Sequence, residues 1–125
     1  MIEPMSAVHS ETVPRWTIND PRADFYLHQA NELMLHGEQE KALAFYDKAL
    51  SYQPDFGEVF HQKGNLLDQM GRFSEAITCS NSALECDPGN AEIWYNKGIS
   101  LRKTGCDDES HECIHRSLSI AMGEL

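Results

Sequence analysis

Residues 57–90 read GEVFHQKGNLLDQMGRFSEAITCSNSALECDPGN, and the chain carries this pattern three times in register. Gly37, Gly71 and Gly105 are spaced 34 residues apart, as are Pro54 and Pro88, Ala42 and Ala76, and Ala49 and Ala83. Gly64 and Gly98 keep the interval, with Ala30 in the same place one unit earlier, and the aromatics Tyr26, Phe60 and Trp94 obey it too. Self-similarity at one fixed period is the signature of a repeat architecture. It divides the chain into an N-terminal extension, 1–22, and three units, 23–56, 57–90 and 91–124.

Each unit reads as two helices. The first carries an apolar stripe at helical spacing: Tyr26, Ala30 and Leu33, then Phe60, Gly64 and Leu67, then Trp94, Gly98 and Leu101. The following glycine suits the left-handed conformation that closes a helix C-terminus. The second helix carries Ala42, Leu43, Tyr46, Ala49 and Leu50, and in unit two Ala76, Ile77, Ala83 and Leu84. Small residues let neighbouring helices approach, and Pro54 and Pro88 end the second helices, since proline lacks the N–H and clashes backward. Asp20-Pro21 predicts one helix start, Asn90 another, and Asp55-x-x-Glu58 is similar to a capping box. Asp24, Glu58 and Glu92 recur in the first turns, where they complement the helix dipole.

The bulk composition agrees with one folded domain. The 125 residues are 41% hydrophobic and 24% charged, within the range of globular proteins. No apolar run is long enough to span a membrane, and the start, MIEPMSAVHSETVPRW, has neither the basic nor the apolar segment of a secretory signal. The expected location is the cytoplasm. Net charge is −10 and is spread over every unit rather than held in a tail. That argues against nucleic acid or an anionic membrane as partner, because phosphates need a clustered basic surface. Cys79, Cys86, Cys106 and Cys113 have no C-x-x-C spacing and are expected to be reduced thiols, with Cys79, Cys86 and Cys113 filling space on second helices.

The period, register and quoted residues together resemble the tetratricopeptide repeat family over residues 23–124. The resemblance implies an all-α fold, a right-handed α-solenoid of three antiparallel helix pairs. The pattern departs from the family where Gln29, Lys63 and Lys97 replace a customary leucine, and where Ser80 replaces the aromatic that Tyr46 supplies in unit one. Long stems at the first three positions still cover apolar surface.

The resemblance also implies a concave groove lined by the first helices. Mapped onto this chain it comprises Asp24, Leu27, Asn31, Met34 and Leu35; then Glu58, His61, Asn65, Asp68 and Gln69; then Glu92, Tyr95, Ile99, Arg102 and Lys103. None belongs to the core stripe, so all are expected to be free for a guest. Asparagine amides pair with peptide backbone, Tyr95 offers a flat anchor, and Arg102 suits a carboxylate. The implied partner is a protein or peptide segment, and the implied role an adaptor or scaffold with chaperone-like shielding as one form. Family members that clamp the C-terminal carboxylates of heat-shock chaperones need Lys, Asn, Asn, Lys and Arg at five places. Here Leu27, Asn31, Asn65, Tyr95 and Ile99 stand there, so the three cations are missing and clamp-type recognition is not expected.

The second half of unit three diverges. Ser110 and Ser117 stand where the other units have alanine, His111 replaces an aliphatic residue, and Met122 stands where proline ends the others. This predicts a polar outer cap over 107–121, or alternatively a weak homodimer or oligomerisation face through Ile114, Leu118 and Ile120. At the other end, Trp16 and Ile18 are expected to pack on the first helix pair or dip into the groove, against the alternative of a disordered tail. His111 and His115 share one helix face and are the weak candidates for a metal, but two ligands on an exposed helix do not define a site. No catalytic motif is present, so neither an enzyme activity nor a cofactor is expected.

Overall fold

The computed structural model describes residues 19–124, which form six α-helices and no strand. They are α1 (Pro21–Leu35), α2 (Gln39–Tyr52), α3 (Gly57–Gln69), α4 (Phe73–Cys86), α5 (Ala91–Lys103) and α6 (Asp107–Ala121). The expectations for Trp16 and Ile18 lie outside the described residues. Consecutive helices pack in pairs, α1 with α2, α3 with α4 and α5 with α6, and each pair stacks on the next. The result is an all-α solenoid of helix pairs.

One turn is used throughout. Gly37, Gly71 and Gly105 have φ of 77°, 80° and 87°, the left-handed region that favours glycine. After α1 the Gly37 N–H donates to Met34 O at 3.0 Å and the Glu38 N–H to Leu33 O at 2.9 Å. This pair of bonds satisfies carbonyls that the helix end leaves open. The same pair follows α3 and α5, and Gly123 repeats it after α6, with φ of 78°. The sequence reading noted only Met122 in place of a proline there and missed this glycine.

Two of the three predicted helix starts form. Asp20 accepts from the Arg22 N–H at 2.8 Å, and Asn90 accepts from the Glu92 and Ile93 N–H groups at 3.0 and 3.3 Å. The Asp55–Glu58 box does not. The residue before α3 is Phe56, whose side chain is buried and offers no cap, so apolar burial sets the entry to that helix.

The core runs along the stack. Ala23, Leu27, Ala30, Ala42, Tyr46, Val59, Leu66 and Ala76 are among the members of its main cluster, and Ala83, Leu84 and Ile93 form a second, separate cluster toward unit three. The stripe aromatics Tyr26, Phe60 and Trp94 are only half-buried, packed against its outside. Gly98 marks a close helix approach, since a Cβ there would sit 2.7 Å from Ile114 Cγ1 and 3.2 Å from Ser110 O. Lys63 reaches Asp47 at 2.7 Å, tying α3 to α2 with its stem largely covered.

The polar outer cap needs correcting for two of its residues. Ser110 and Ser117 face inward, 1% and 7% exposed, and donate to the backbone oxygens of Gly98 at 2.7 Å and Ala91 at 2.8 Å. Serine keeps alanine's size, so α6 packs as closely on α5 as its counterparts do, and each hydroxyl finds a carbonyl. The exposed side of α6 is mixed: His111 and His115 with Leu118 and Met122.

Candidate partner-binding site

The expected groove residues divide into those spent on the fold and those open to a guest. Leu27 is spent. It is 7% exposed and lies in the core cluster with Phe56 at the end of its own unit and Val59 of the next, which corrects its assignment to the groove. Its counterpart His61 is nearly covered as well, with 10% of its side chain exposed and Nε2 buried 3.8 Å from Glu92 Oε2 without a hydrogen bond. The third counterpart, Tyr95, is 49% exposed. The following first helix covers this position, and among the described residues none follows α5.

Asn31 and Met34 are tied down by Tyr46. The Tyr46 hydroxyl donates to Asn31 Oδ1 at 2.6 Å and lies 3.0 Å from Met34 Sδ, and its ring is fully buried. Burial, reinforced by the negative charge of Glu58, pushes the Tyr46 phenol pKa up to about 12. The expectation that every groove residue is free therefore fails in unit one, where Leu35 alone is prominently exposed, at 80%.

Between units two and three the arrangement opens. A cavity of about 580 Å³ is walled by Asn65, Asp68 and Gln69 of α3 and by Tyr95, Ile99 and Arg102 of α5. These are six of the expected groove residues, brought together by a shared helical face at 3.6-residue spacing and by the stacking of α5 on α3. The walls are tied by a ladder of hydrogen bonds. Asn96 Nδ2 donates to Asn65 Oδ1 at 2.9 Å, Ser100 Oγ to Asp68 Oδ1 at 2.8 Å, and Lys103 Nζ to Asp68 Oδ2 at 3.2 Å. The sequence reading missed Asn96 and Ser100. Their 34-residue counterparts form no such rung, since Gln62 bonds Glu58 on its own helix and Leu66 is apolar core.

Other candidate chemistry finds little support. All four cysteines are free; Cys79 and Cys113 are buried, whereas Cys86 and Cys106 are exposed, which corrects Cys86 as a buried filler. Burial raises the thiol pKa values of Cys79, Cys86 and Cys113, the opposite of what a reactive thiolate needs. Among the described residues no three His, Cys, Asp or Glu side chains converge on a metal position, so His111 and His115 stand without a third ligand. No helix among them is long and apolar enough to cross a membrane.

Stacked helix pairs with small residues at the contacts and an open inner face define a helical-repeat solenoid. Two family models match, one described as tetratricopeptide repeat over residues 23–56 and one as TPR repeat over 64–105. The chain belongs to the tetratricopeptide repeat family. No curated protein matches it in sequence.

Solved structures agree on the fold. MamA is 18% identical with a TM-score of 0.79, over 82% of this chain and 60% of its own, so the chain spans about three fifths of that protein's length. The Sgt2 TPR domain from Aspergillus fumigatus is 20% identical with a TM-score of 0.78, over 90% and 74%. The second TPR of Spaghetti (RPAP3), solved bound to the HSP90 peptide SRMEEVD, is 14% identical with a TM-score of 0.77, over 80% and 93%.

Proposed function

We propose that the chain is a non-catalytic, cytoplasmic interaction module that holds an extended segment of a partner protein along α3 and α5, as an adaptor or scaffold does. One observation carries this reading: the cavity between units two and three, of about 580 Å³, open to the inner face and walled by Asn65, Asp68, Gln69, Tyr95, Ile99 and Arg102. Its size suits a side chain with adjoining backbone. Amide and carboxylate acceptors meet an aromatic ring there, the mixture that orients a guest and anchors it. A related fold solved with a peptide bound supports the class of partner.

The guest differs from that one in chemistry. With Leu27, Tyr95 and Ile99 at three clamp positions, a C-terminal carboxylate has few cations to meet, and a net charge of −10 disfavours acidic segments. Gln69, Tyr95 and Arg102 are exposed. A triple substitution of these to alanine is expected to abolish partner capture from lysate while leaving the melting temperature unchanged. Undiminished capture by the triple variant would defeat the reading.

A second reading has its own observation. Leu118 and Met122 are 55% and 68% exposed at the end of α6, apolar surface suited to stacking between copies. Light scattering of wild type and Leu118→Asp tests it: concentration-dependent assembly lost on substitution is the expected result if α6 is an oligomerisation face.

A further inference from the structure

The cavity between units two and three is where unit one keeps a tyrosine. The junction of units one and two is closed by Tyr46 from α2 and Leu66 from α3, both 0% exposed and in one core cluster. Thirty-four residues later the same two places hold Ser80 and Ser100, both on the cavity wall. An aromatic ring and an isobutyl group have become two hydroxymethyl groups. The groups that receive the Tyr46 phenol, Asn31 and Met34, have become Asn65 and Asp68, which also face the cavity. Ser80 and Ser100, 8% and 2% exposed, lie at the floor of the cavity, and the Asn96–Asn65 and Ser100–Asp68 hydrogen bonds hold α5 against α3 beside it.

We infer that this cavity is a specificity pocket for the side chain of a tyrosine in the bound partner segment, which enters where Ser80 has vacated the place of Tyr46. This rests on the interaction-module reading and names the residue the guest must present. The guest ring lies over Ser80 and Gly64 and against Ile99, and its hydroxyl points to Asn65 and Asp68. Each of those oxygens already accepts one hydrogen bond and has capacity for another. The wall carries both signs of charge, with Asp68 paired to Lys103 at 3.2 Å and Glu92 balanced by Arg102, so a neutral phenol that donates one hydrogen bond fits it without adding a charge. Phenylalanine fills the same space but leaves the second acceptor site of each oxygen unused in a partly desolvated site.

The first test needs no partner. p-Cresol, the tyrosine side chain as a free molecule, is titrated into the labelled protein and followed by NMR. Saturable shifts are expected at the Asn65 and Asn96 side-chain amides and at Ser80 and Ser100, with weaker shifts for toluene. Ser80→Tyr fills the pocket from α4 and Ser100→Leu fills it from α5. Both are expected to remove the shifts, and two independent fillings guard against either variant failing to fold. Shifts absent from these residues, or unchanged in both variants, overturn the pocket.

The second test separates the pocket from the groove. A random peptide library is panned against wild type and Ser80→Tyr. Peptides sharing a tyrosine, whose replacement by alanine weakens binding about tenfold or more to wild type alone, support the inference. Peptides enriched without tyrosine overturn the pocket and leave the groove reading intact. Enrichment of none, with p-cresol still binding, counts against the groove reading and for the pocket.

Discussion

Tyr46 donates its phenol proton to the side-chain carbonyl of Asn31 at 2.6 Å, from α2 across to α1, at the edge of the core in which its ring is buried. The chain thus contains its own example of how a tyrosine sits at a unit junction. That bond holds the Asn31 side chain to Tyr46 in unit one.

Tyr46→Phe keeps the ring and removes the donor. Asn31 is part-buried and loses a partner, so stability is expected to fall by about 1 kcal/mol, read by urea denaturation at neutral pH. The larger signature is alkaline. The folded-state phenol pKa of about 12 lies above the ordinary 10, so the contribution is complete below pH 10. It is lost as pH rises from 10 through about 12, because the unfolded chain ionises first. Wild type is expected to lose on the order of 2 kcal/mol more than Tyr46→Phe across that window.

Leu27 and Tyr95 occupy equivalent places 34 residues apart times two, yet are expected to respond oppositely. Leu27→Ala opens a core cavity and should cost about 2–4 kcal/mol, since Leu27 is 7% exposed. Tyr95→Ala should change stability by less than about 0.5 kcal/mol. Paired denaturation curves decide it; equal losses would place Tyr95 in the core or Leu27 in the groove.

Gly98→Ala improves helix propensity but meets the backbone. The new Cβ would lie 3.2 Å from Ser110 O and 2.7 Å from Ile114 Cγ1. Ile114 can shift its side chain, whereas the carbonyl of α6 moves only with its helix. A net loss of about 1–3 kcal/mol is expected, visible as a lower melting temperature. A gain would mean that α6 slides freely on α5.

The helix starts give a contrast between a cap that forms and one that does not. Asn90→Ala removes the one oxygen that accepts from two N–H groups of α5 and should cost about 1 kcal/mol. Asp55→Ala removes no cap from α3 and should stay within about 0.5 kcal/mol. Comparable losses at both sites would restore the Asp55 box.

Much of the candidate site was legible because a 3.6-residue helix puts Asn65, Asp68 and Gln69 on one face, and the 34-residue interval carries that face to Tyr95, Ile99 and Arg102. What periodicity could not show was occupancy. Leu27, Asn31 and Tyr95 are equally periodic, but one is buried by the next unit, one is held by Tyr46, and one is open. Ser110 and Ser117 read as polar and therefore outward, yet their hydroxyls are satisfied by carbonyls of α5 that no local pattern reveals.

The amino-acid order alone determined the helix pairs, their turns and their stacking. Apolar spacing, glycines that accept positive φ and prolines that stop helices all act within a few residues of one another. The open junction was decided only by tertiary structure. Whether replacing Tyr46 and Leu66 by Ser80 and Ser100 yields a collapsed contact or a cavity depends on where α5 comes to rest against α3. That distance is set by side chains on both helices at once, through the Asn65–Asn96 and Asp68–Ser100 hydrogen bonds.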